Sequence, residues 1–460
     1  MSALEPIKAI SRNKFEVLAG MTRDPRVIGV VHELEYYSDP GEGYLGVVLS
    51  DLVDRDFSAI VLARDEFEKF RCINLRVSFP IIDDARTWLI KELNANLASG
   101  IRIHPQGQAS APPLDLFEPV VPAGRQHEYF KRIHSHNAFL GARKVITEMM
   151  PHFTDIDGNF VRQFQSDGFD ARLWELYLFA VLKESGIILD RSFHAPDYVG
   201  VRFEHAIAVE AVVVGRRPGE TAEPIRKVPK LLPPDEIWEK VKDEMPIRFG
   251  SPLYSKSKKR YWELDHVRGK PFAIAIADFH DDQSMIWSHS ALFPYLYGKR
   301  FKLEKNKNGQ ARQISVDVEA HSHSGKTIPA GFFRQPDSEN ISAVMTSASG
   351  TISKFNRMGR QAGYGDPRIK VVRAGYCYND EPGAVTAKPF AYKVTEESAE
   401  TWSEGLNVFH NPNAAIPLNP EVLPLAAHHF LDGDKIVSIL PGFHPFSSWT
   451  FDLIPKSGGS

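Results

Sequence analysis

The sequence predicts an α/β (α+β) protein with several domains. At 460 residues the chain is longer than one hydrophobic core usually supports, so two or three domains are expected. Runs rich in β-branched and aromatic residues alternate with segments of helical period, which indicates strands and helices in alternation. The hydrophobic and charged fractions, 43% and 25%, are those of ordinary globular proteins.

Composition and charge exclude some classes of protein. The chain has 55 Lys and Arg against 58 Asp and Glu, so any surface for a polyanion must be a local patch. The only two cysteines, Cys72 and Cys377, lie far apart, which excludes a cysteine-built zinc site and favours a reducing compartment. There is no signal-peptide pattern and no apolar run of about 18–20 residues. We therefore expect a cytoplasmic protein that does not enter a membrane.

The N-terminal part is predicted to be a small α/β domain over residues 1–103. Residues 28–98 contain three strand-like runs broken by Asp and Gly turns, and the segment DDARTWLIKELNANL then has a helical period. Residues 104–126 contain five prolines and no helical period, so we expect a linker there.

Residues 127–364 are predicted to form the core domain. The segment GFDARLWELYLFAVLKESG is typical of an amphipathic helix that ends at a glycine. Two strands within 192–214 follow it, then a Pro-rich excursion at 216–234, a helix that starts at Ser251, a buried strand at 270–279, a helix at 287–298 and a strand at 338–349. Residues 365–456 form a region whose fold the pattern does not define, and the terminal SGGS at 457–460 is interpreted as an appended linker.

One carboxylate is out of place in this pattern. Glu210 lies inside an almost wholly apolar run, residues 207–214. A buried carboxylate is costly unless a cation or a hydrogen-bond donor meets it. Two simple explanations are an edge-strand charge that discourages aggregation and a salt bridge to Arg202 on the neighbouring strand.

Two further acidic residues precede Glu210 in a helix and at the start of a strand. Glu175 lies in the amphipathic helix, Asp197 follows a proline in APDY, and Glu210 comes thirteen residues later in VEAVV, before a basic helix and a strand. This order resembles the PD-(D/E)xK nuclease superfamily over about residues 160–350. The resemblance implies a restriction-endonuclease-like core, a mixed central sheet flanked by helices.

The resemblance also implies a reaction. Glu175, Asp197 and Glu210 would bind Mg²⁺ or Mn²⁺ for the hydrolysis of phosphodiester bonds in nucleic acid, and DNA is the expected substrate. Restriction, repair and phage defence are the roles that such cores commonly serve. Taken singly, Glu175 is also typical of an exposed helix position, and Asp197 is typical of a turn.

The sequence departs from the family pattern at Val212, where the family has a lysine on the same strand face as the glutamate. Some members of the family supply the amine from a helix instead. The segment SPLYSKSKKRYW offers Lys256 and Lys259, which share a helix face, as candidate catalytic residues. Lys258 and Arg260 beside them are predicted to contact nucleic acid. The alternative is that the whole basic run is a solvated face.

A second basic segment, TISKFNRMGRQAG, is predicted to be a Gly-flanked loop. Lys354, Arg357 and Arg360 in it would contact nucleic acid, or the loop packs on the core. The rival to a nuclease is a catalytically inactive nucleic-acid-binding or scaffold protein that keeps the fold. A C-terminal enzyme built around residues 400–450 is a third hypothesis. Homodimerisation and a partner protein of a defence system are both left open.

Overall fold

A computed structural model describes residues 7–107, 112–217, 220, 232–305, 311–379, 381 and 386–454. Within these ranges the protein is a mixed α/β molecule with several sheets, which confirms the predicted class. The terminal segment 457–460 and most of the Pro-rich excursion at 216–234 lie outside the described residues. In the described ranges, every helix is too short or too polar to cross a bilayer.

The N-terminal unit is a five-stranded antiparallel sheet with its strands in chain order. Its elements are β1 (Lys8–Ala9), α1 (Arg12–Ala19), β2 (Val31–Ser38), β3 (Tyr44–Asp51), β4 (Phe57–Arg64), β5 (Phe70–Phe79) and α2 (Ile82–Ser99). Helix α2 packs on the sheet at Gly46, where a Cβ atom would lie within 3.0 Å of Leu89 and Leu93. The three predicted strand runs correspond to β3, β4 and β5, and the sheet gains β1 and β2.

The segment expected to be a linker is partly packed against the core. The Gln165 side chain donates to the carbonyls of Leu116 and Glu118, at 3.1 and 2.7 Å, and accepts from the N–H groups of Val120 and Val121, at 2.8 and 3.2 Å. Leu116 is fully buried. Residues 112–126 therefore do not form a free tether, while 108–111 lie outside the described residues.

Four helices lead into the core: α3 (Glu128–Ser135), α4 (Leu140–Met149), α5 (Phe160–Gln165) and α6 (Phe169–Glu184). Helix α6 is the predicted amphipathic helix, and it ends just before Gly186, whose φ of 75° suits a glycine. It lies on the sheet through buried residues such as Trp174, whose indole N–H donates to the Ala275 carbonyl at 3.0 Å.

The remaining elements in chain order are β6 (Ile188–Asp190), β7 (Tyr198–Arg202), β8 (His205–Val214), α7 (Pro234–Glu239), α8 (Met245–Ser257), β9 (Phe272–Asp278), α9 (Met285–Ser288), α10 (Leu292–Tyr297), β10 (Lys299–Lys305), β11 (Ala311–Asp317), β12 (Ala320–His323), β13 (Lys326–Pro329), β14 (Ala343–Ser347), α11 (Ile352–Gln361), β15 (Lys370–Cys377), β16 (Lys388–Lys393), β17 (Leu406–His410), β18 (Ala427–Asp432), β19 (Lys435–Ile439) and β20 (Pro445–Leu453).

The central sheet has eight strands in the order β19-β18-β17-β14-β9-β8-β7-β6. Strands β8, β9 and β14 are parallel, whereas β7 and β17 run antiparallel to their neighbours in this group. Both faces of the sheet are covered. One apolar cluster joins α6 to one face of β8 and β9, and a second joins α8 and α10 to the other face. Burial on both faces accounts for the continuous apolar runs in these strands.

Two predicted boundaries differ from the structure. The first is the domain boundary expected after residue 364. Strands β17, β18 and β19 lie beyond it in the chain but belong to the central sheet, so the core does not end there. Strands β15, β16 and β20 form a separate three-stranded sheet. The helix predicted to start at Ser251 begins earlier, at Met245, and ends at Ser257. The rest of that basic segment forms turns and one short 3-10 helix.

The second basic segment is also different from the prediction, because it forms helix α11 and not a loop. Lys354 and Arg357 are buried and contact Glu400, each at 2.8 Å, and Arg373 lies 3.3 Å from the same carboxylate. Arg360 is half-buried, and its guanidinium donates to backbone carbonyls. The prediction that Lys354 and Arg357 contact nucleic acid is therefore wrong, since a protein carboxylate already holds both.

The buried cluster around Glu400 generates a prediction about stability. Burial alone would raise the pKa of Glu400, but Arg357, Lys354 and Arg373 hold it well below its ordinary value. Glu400→Gln leaves buried cations undercompensated, and it should lower the free energy of unfolding by about 3–5 kcal/mol in urea titrations. The control is Arg368→Gln, an exposed partner of Asp366, which should unfold like the wild type. Equal midpoints for the two variants would contradict a stabilising role of the cluster.

Candidate active site

Glu210 lies on an interior strand of the central sheet. Strand β8 is hydrogen-bonded to β7 on one side and β9 on the other, so the edge-strand explanation for Glu210 is excluded. The residue is 4% exposed. Arg202 is not its partner either, because that guanidinium donates to the carbonyls of Ser185 and Glu421. The buried carboxylate must therefore be compensated by other groups.

Those groups come from the start of β7 and from α8. The Lys256 ammonium contacts Oε1 of Glu210, and the backbone N–H of Asp197 donates to Oε2 at 3.2 Å. The Tyr261 hydroxyl lies near this carboxylate, since burial and the charge of Glu210 together raise the pKa of Tyr261. In return, Oδ2 of Asp197 accepts from the backbone N–H of Ala211 at 2.7 Å. The two acidic residues of the motif are thus held side by side by reciprocal side chain to backbone bonds.

The sheet register explains why Asp197 and Glu210 meet. Tyr198 on β7 pairs with Val209 on β8, which brings the residue before Tyr198 opposite the residue after Val209. Val212, at the position of the family's lysine, packs against the apolar cluster that includes α8. The strand therefore offers no amine at the site, and helix α8 supplies one through Lys256.

The four basic residues of the α8 segment have different environments. Lys256 is the one that reaches the motif, as predicted for either Lys256 or Lys259. Lys259 lies beyond the end of α8 and is exposed. Lys258 is half-exposed and lies 3.9 Å from Asp337, and the exposed Arg260 pairs with Glu263 at 2.8 Å. The prediction that Lys256 and Lys259 share a helix face is wrong, because the helix ends at Ser257.

Glu175 faces a small cavity that it shares with Asp197. The cavity measures about 20 Å³, and its lining also includes Arg172 and Arg191. Such a volume is enough for one water molecule or one ion. Arg172 donates to both Glu175 oxygens, at 2.8 and 2.7 Å. Glu175 is therefore not an exposed helix residue but a cavity-lining carboxylate held by one arginine.

The carboxylates of the site influence each other electrostatically. Burial and the negative charge of Asp197 raise the pKa of Glu210 to about 7, and Lys256 opposes this shift. Burial and Asp197 likewise raise the pKa of Glu175 to about 7, against the effect of Arg172. Both carboxyls therefore exchange protons near neutral pH.

Three residues of the site were not singled out from the sequence. Arg172 stands one helical turn before Glu175, a spacing that could have indicated an ion pair. Arg191 donates to the backbone carbonyls of Asp197 and Thr154 and so fixes the loop before β7. Tyr261 reaches Glu210 from the turn after α8. No local pattern marks Arg191 or Tyr261, because both contacts depend on the tertiary fold.

Whether a divalent cation fits can be judged from the donor set. Across the described part of the chain, no group of three or more His, Cys, Asp and Glu side chains is arranged to hold a metal ion. Mg²⁺, however, is usually bound through only one or two protein carboxylates together with water and substrate oxygens. Asp197 and Glu210 supply that number, and Glu175 lines an ion-sized cavity beside Asp197. The residues therefore fit a hard divalent cation in chemistry and charge.

Comparison of the chain with protein-family models, with curated proteins and with solved structures found no match. Inferences about function therefore depend on the geometry described above.

The raised pKa values of Glu175 and Glu210 predict a pH dependence of the unfolding free energy. Glu175 and Glu210 have raised pKa values in the folded protein, so they contribute stability below about pH 4.5 that is lost as the pH rises through 7. Burial is the larger cause of both raised pKa values, and the charge of Asp197 adds to it. Asp197→Asn keeps an acceptor for Ala211 but removes that added effect. The loss of unfolding free energy between pH 5 and pH 8 should shrink by about 1–3 kcal/mol.

The measurement is a set of urea titrations at both pH values. Asp157→Asn is the matched control, because Asp157 lines the same cavity but is half-exposed and pairs with His194. This control should keep the wild-type pH dependence. An unchanged pH dependence in Asp197→Asn would show that Asp197 does not contribute to the raised pKa values of the two carboxyls.

Proposed function

We propose that the protein is a divalent-metal-dependent nuclease with a restriction-endonuclease-like core of the PD-(D/E)xK type. The observation that carries the proposal is the contact between Lys256 and Glu210 beside Asp197. An amine thus stands next to the paired acidic residues although the strand position has Val212. A salt bridge with only a structural role would need Lys256 and Glu210, but it would not need Asp197 beside them.

Each side chain of the site has a role in phosphodiester hydrolysis. A divalent cation bound by Asp197 and Glu210 would neutralise the charge that develops on the phosphate. The Lys256 ammonium is placed to donate a hydrogen bond to the attacking water or to a phosphate oxygen. Glu175, whose pKa burial and Asp197 raise to about 7, would exchange a proton with water in the small cavity.

The substrate is proposed to be nucleic acid, with DNA preferred. Lys258, Lys259 and Arg260 are exposed at the end of α8, directly after the residue that reaches Glu210. A backbone that passes the carboxylates would meet these cations, which would contribute sequence-independent phosphate contacts. A cytoplasmic location and a role in restriction, repair or defence against phage belong to this proposal.

A catalytically inactive nucleic-acid-binding or scaffold protein is the second candidate. It is favoured by the observation that Glu210 and Glu175 are each already paired with a protein cation, Lys256 and Arg172. Incubation of plasmid DNA with the protein and Mg²⁺ or Mn²⁺, with and without chelator, separates the two. Cleavage that the chelator abolishes supports the nuclease, whereas retention of DNA without cleavage supports the scaffold.

One prediction about cleavage concerns the paired carboxylates, Asp197 and Glu210. Asp197→Ala and Glu210→Ala should each abolish metal-dependent cleavage, because each removes an oxygen ligand at the phosphate. Circular dichroism and urea titration should show a folded chain in both variants. The matched control is Asp157→Ala, which changes an acidic residue outside the proposed ligand pair. Full cleavage by Glu210→Ala would overturn the assignment of the site.

Another prediction about cleavage distinguishes the roles of Lys256 and Lys259. Lys256→Met keeps the length and helical propensity of the side chain but deletes its charge. It should lower the cleavage rate by about 10²–10⁴ and leave Mn²⁺ binding nearly intact. Lys259→Met, the exposed neighbour, should cleave at a near-wild-type rate and weaken DNA binding only modestly, in a salt-dependent way. Equal rates for the two variants would assign the amine no catalytic role.

A further inference from the structure

A cleft of about 480 Å³ opens where the N-terminal unit meets the core. Helix α1 and the residues after it line one side, and helices α4, α6 and α11 line the other. Lys183, which is part of the lining, lies in the last turn of α6, about 12 Å along the helix axis from Glu175. The cleft is therefore separate from the candidate active site, and the proposed nuclease reaction gives it no role.

The walls of this cleft are largely apolar. Ligand pockets typically enclose about 300–1,000 Å³ between apolar side chains, with a small number of polar groups among them. Several of the apolar residues here are only partly buried, so a ligand would cover surface that now faces water. Methionine side chains are unbranched and adapt to ligands of irregular shape. The apolar lining includes Val17, Met21, Met149, Met358, Trp402 and Leu425.

The carboxylates of the lining are held by protein groups. Glu16 accepts from Arg23 at 3.1 and 2.9 Å and lies 3.5 Å from Arg12. Glu400 is held by three cations, as described above. Glu184 accepts from two backbone N–H groups, at 2.6 and 2.7 Å, and burial raises its pKa. The acidic residues of the cleft therefore do not require a cationic ligand.

Lys183 differs from the other charged residues of the lining. Its ammonium forms no ion pair or hydrogen bond with any residue that the structure describes, although the side chain is only partly exposed. Burial lowers the pKa of Lys183, and the charge of Asp24, which is itself paired with Arg26, opposes this shift. A partly buried cation without a partner is stabilised by an anion beside it. The cleft thus combines apolar walls with one uncompensated positive charge.

We propose that this cleft binds a fatty acid, with the carboxylate at Lys183 and the alkyl chain between the apolar walls. A cavity of about 150 Å³ holds a benzene-sized molecule, so the 480 Å³ here has room for a chain of roughly 10–16 carbon atoms. A neutral lipid would leave Lys183 without a counter-ion, whereas a small polar anion would leave the apolar walls uncovered. The ligand would contact helices of both the N-terminal unit and the core.

The test follows the methionine methyl groups of the full chain by ¹³C NMR. Three of the eight methionines, Met21, Met149 and Met358, line the cleft, and Met→Leu variants assign their signals. Titration with decanoate, below its micelle concentration, should shift these three signals and leave that of Met245, in another apolar cluster, unchanged. Decanoate should bind about tenfold more tightly than decanol, because only the acid pairs with Lys183. It should also bind about tenfold more tightly than octanoate, because two more methylenes are buried.

Two variants test the two parts of the cleft separately. Lys183→Met keeps an unbranched side chain but deletes the charge, so it should weaken decanoate binding about tenfold and leave decanol binding unchanged. Leu425→Asp, at an exposed position of the wall, should weaken both ligands about fivefold, because it places a charge beside the alkyl chain. Lys91→Met, at an exposed helix lysine outside the cleft lining, is the matched control and should bind decanoate like the wild type.

The outcomes decide the proposal without reference to cleavage. Loss of the preference for the acid in Lys183→Met, with decanol binding retained, supports it. Unshifted methyl signals, or equal affinities of the wild type for decanoate and decanol, overturn it. A preference for decanoate that survives in Lys183→Met, or wild-type affinity for both ligands in Leu425→Asp, overturns it as well. Because these measurements involve neither DNA nor metal, they stand whether or not the protein is a nuclease.

Discussion

The burial of one carboxylate, that of Glu210, is the constraint on which the site depends. An unpaired charge inside a two-sided sheet would cost several kcal/mol, so partners must be delivered to it by other elements. Strand β7 delivers the N–H of Asp197 through the register of the sheet, and α8 delivers the ammonium of Lys256. The acidic residue after the proline, the glutamate of the next strand and the basic helix are therefore one electrostatic unit, although they are three separate features of the sequence.

The parts of the fold that could be predicted are those encoded locally. Helix α6 has a helical period and a terminal glycine, and β8, β9 and β14 are almost wholly apolar runs, so each can be predicted from its own residues. The proximity of Asp197 and Glu210 was predictable as well, because a short turn between adjacent strands leaves little freedom of register. The choice of Lys256 over Lys259 was not, since the end of α8 at Ser257 decides it.

The parts that could not be predicted depend on contacts between distant segments. Strand β17 is a short apolar run that becomes interior only because it pairs with β14, far away in the chain. Helix α11 has basic residues that resemble a phosphate-binding surface, and only the distant Glu400 turns Lys354 and Arg357 into buried structural groups. Charge in a sequence gives no sign of whether a protein carboxylate or an external ligand will compensate it.

The position of the amine on a helix, and not on the strand of Glu210, has a physical consequence for how the site is held. A strand lysine would be positioned by the sheet itself. Here Val212 packs into the apolar cluster that contains α8, and α8 carries Lys256 back to Glu210. The apolar contact between β8 and α8 thus fixes the position of the amine, so the site depends on packing between two elements and not on residue spacing along one strand. A polar residue at 212 would loosen that packing. A lysine at this position would also place two ammonium groups beside one carboxylate and displace the helix that supplies the first.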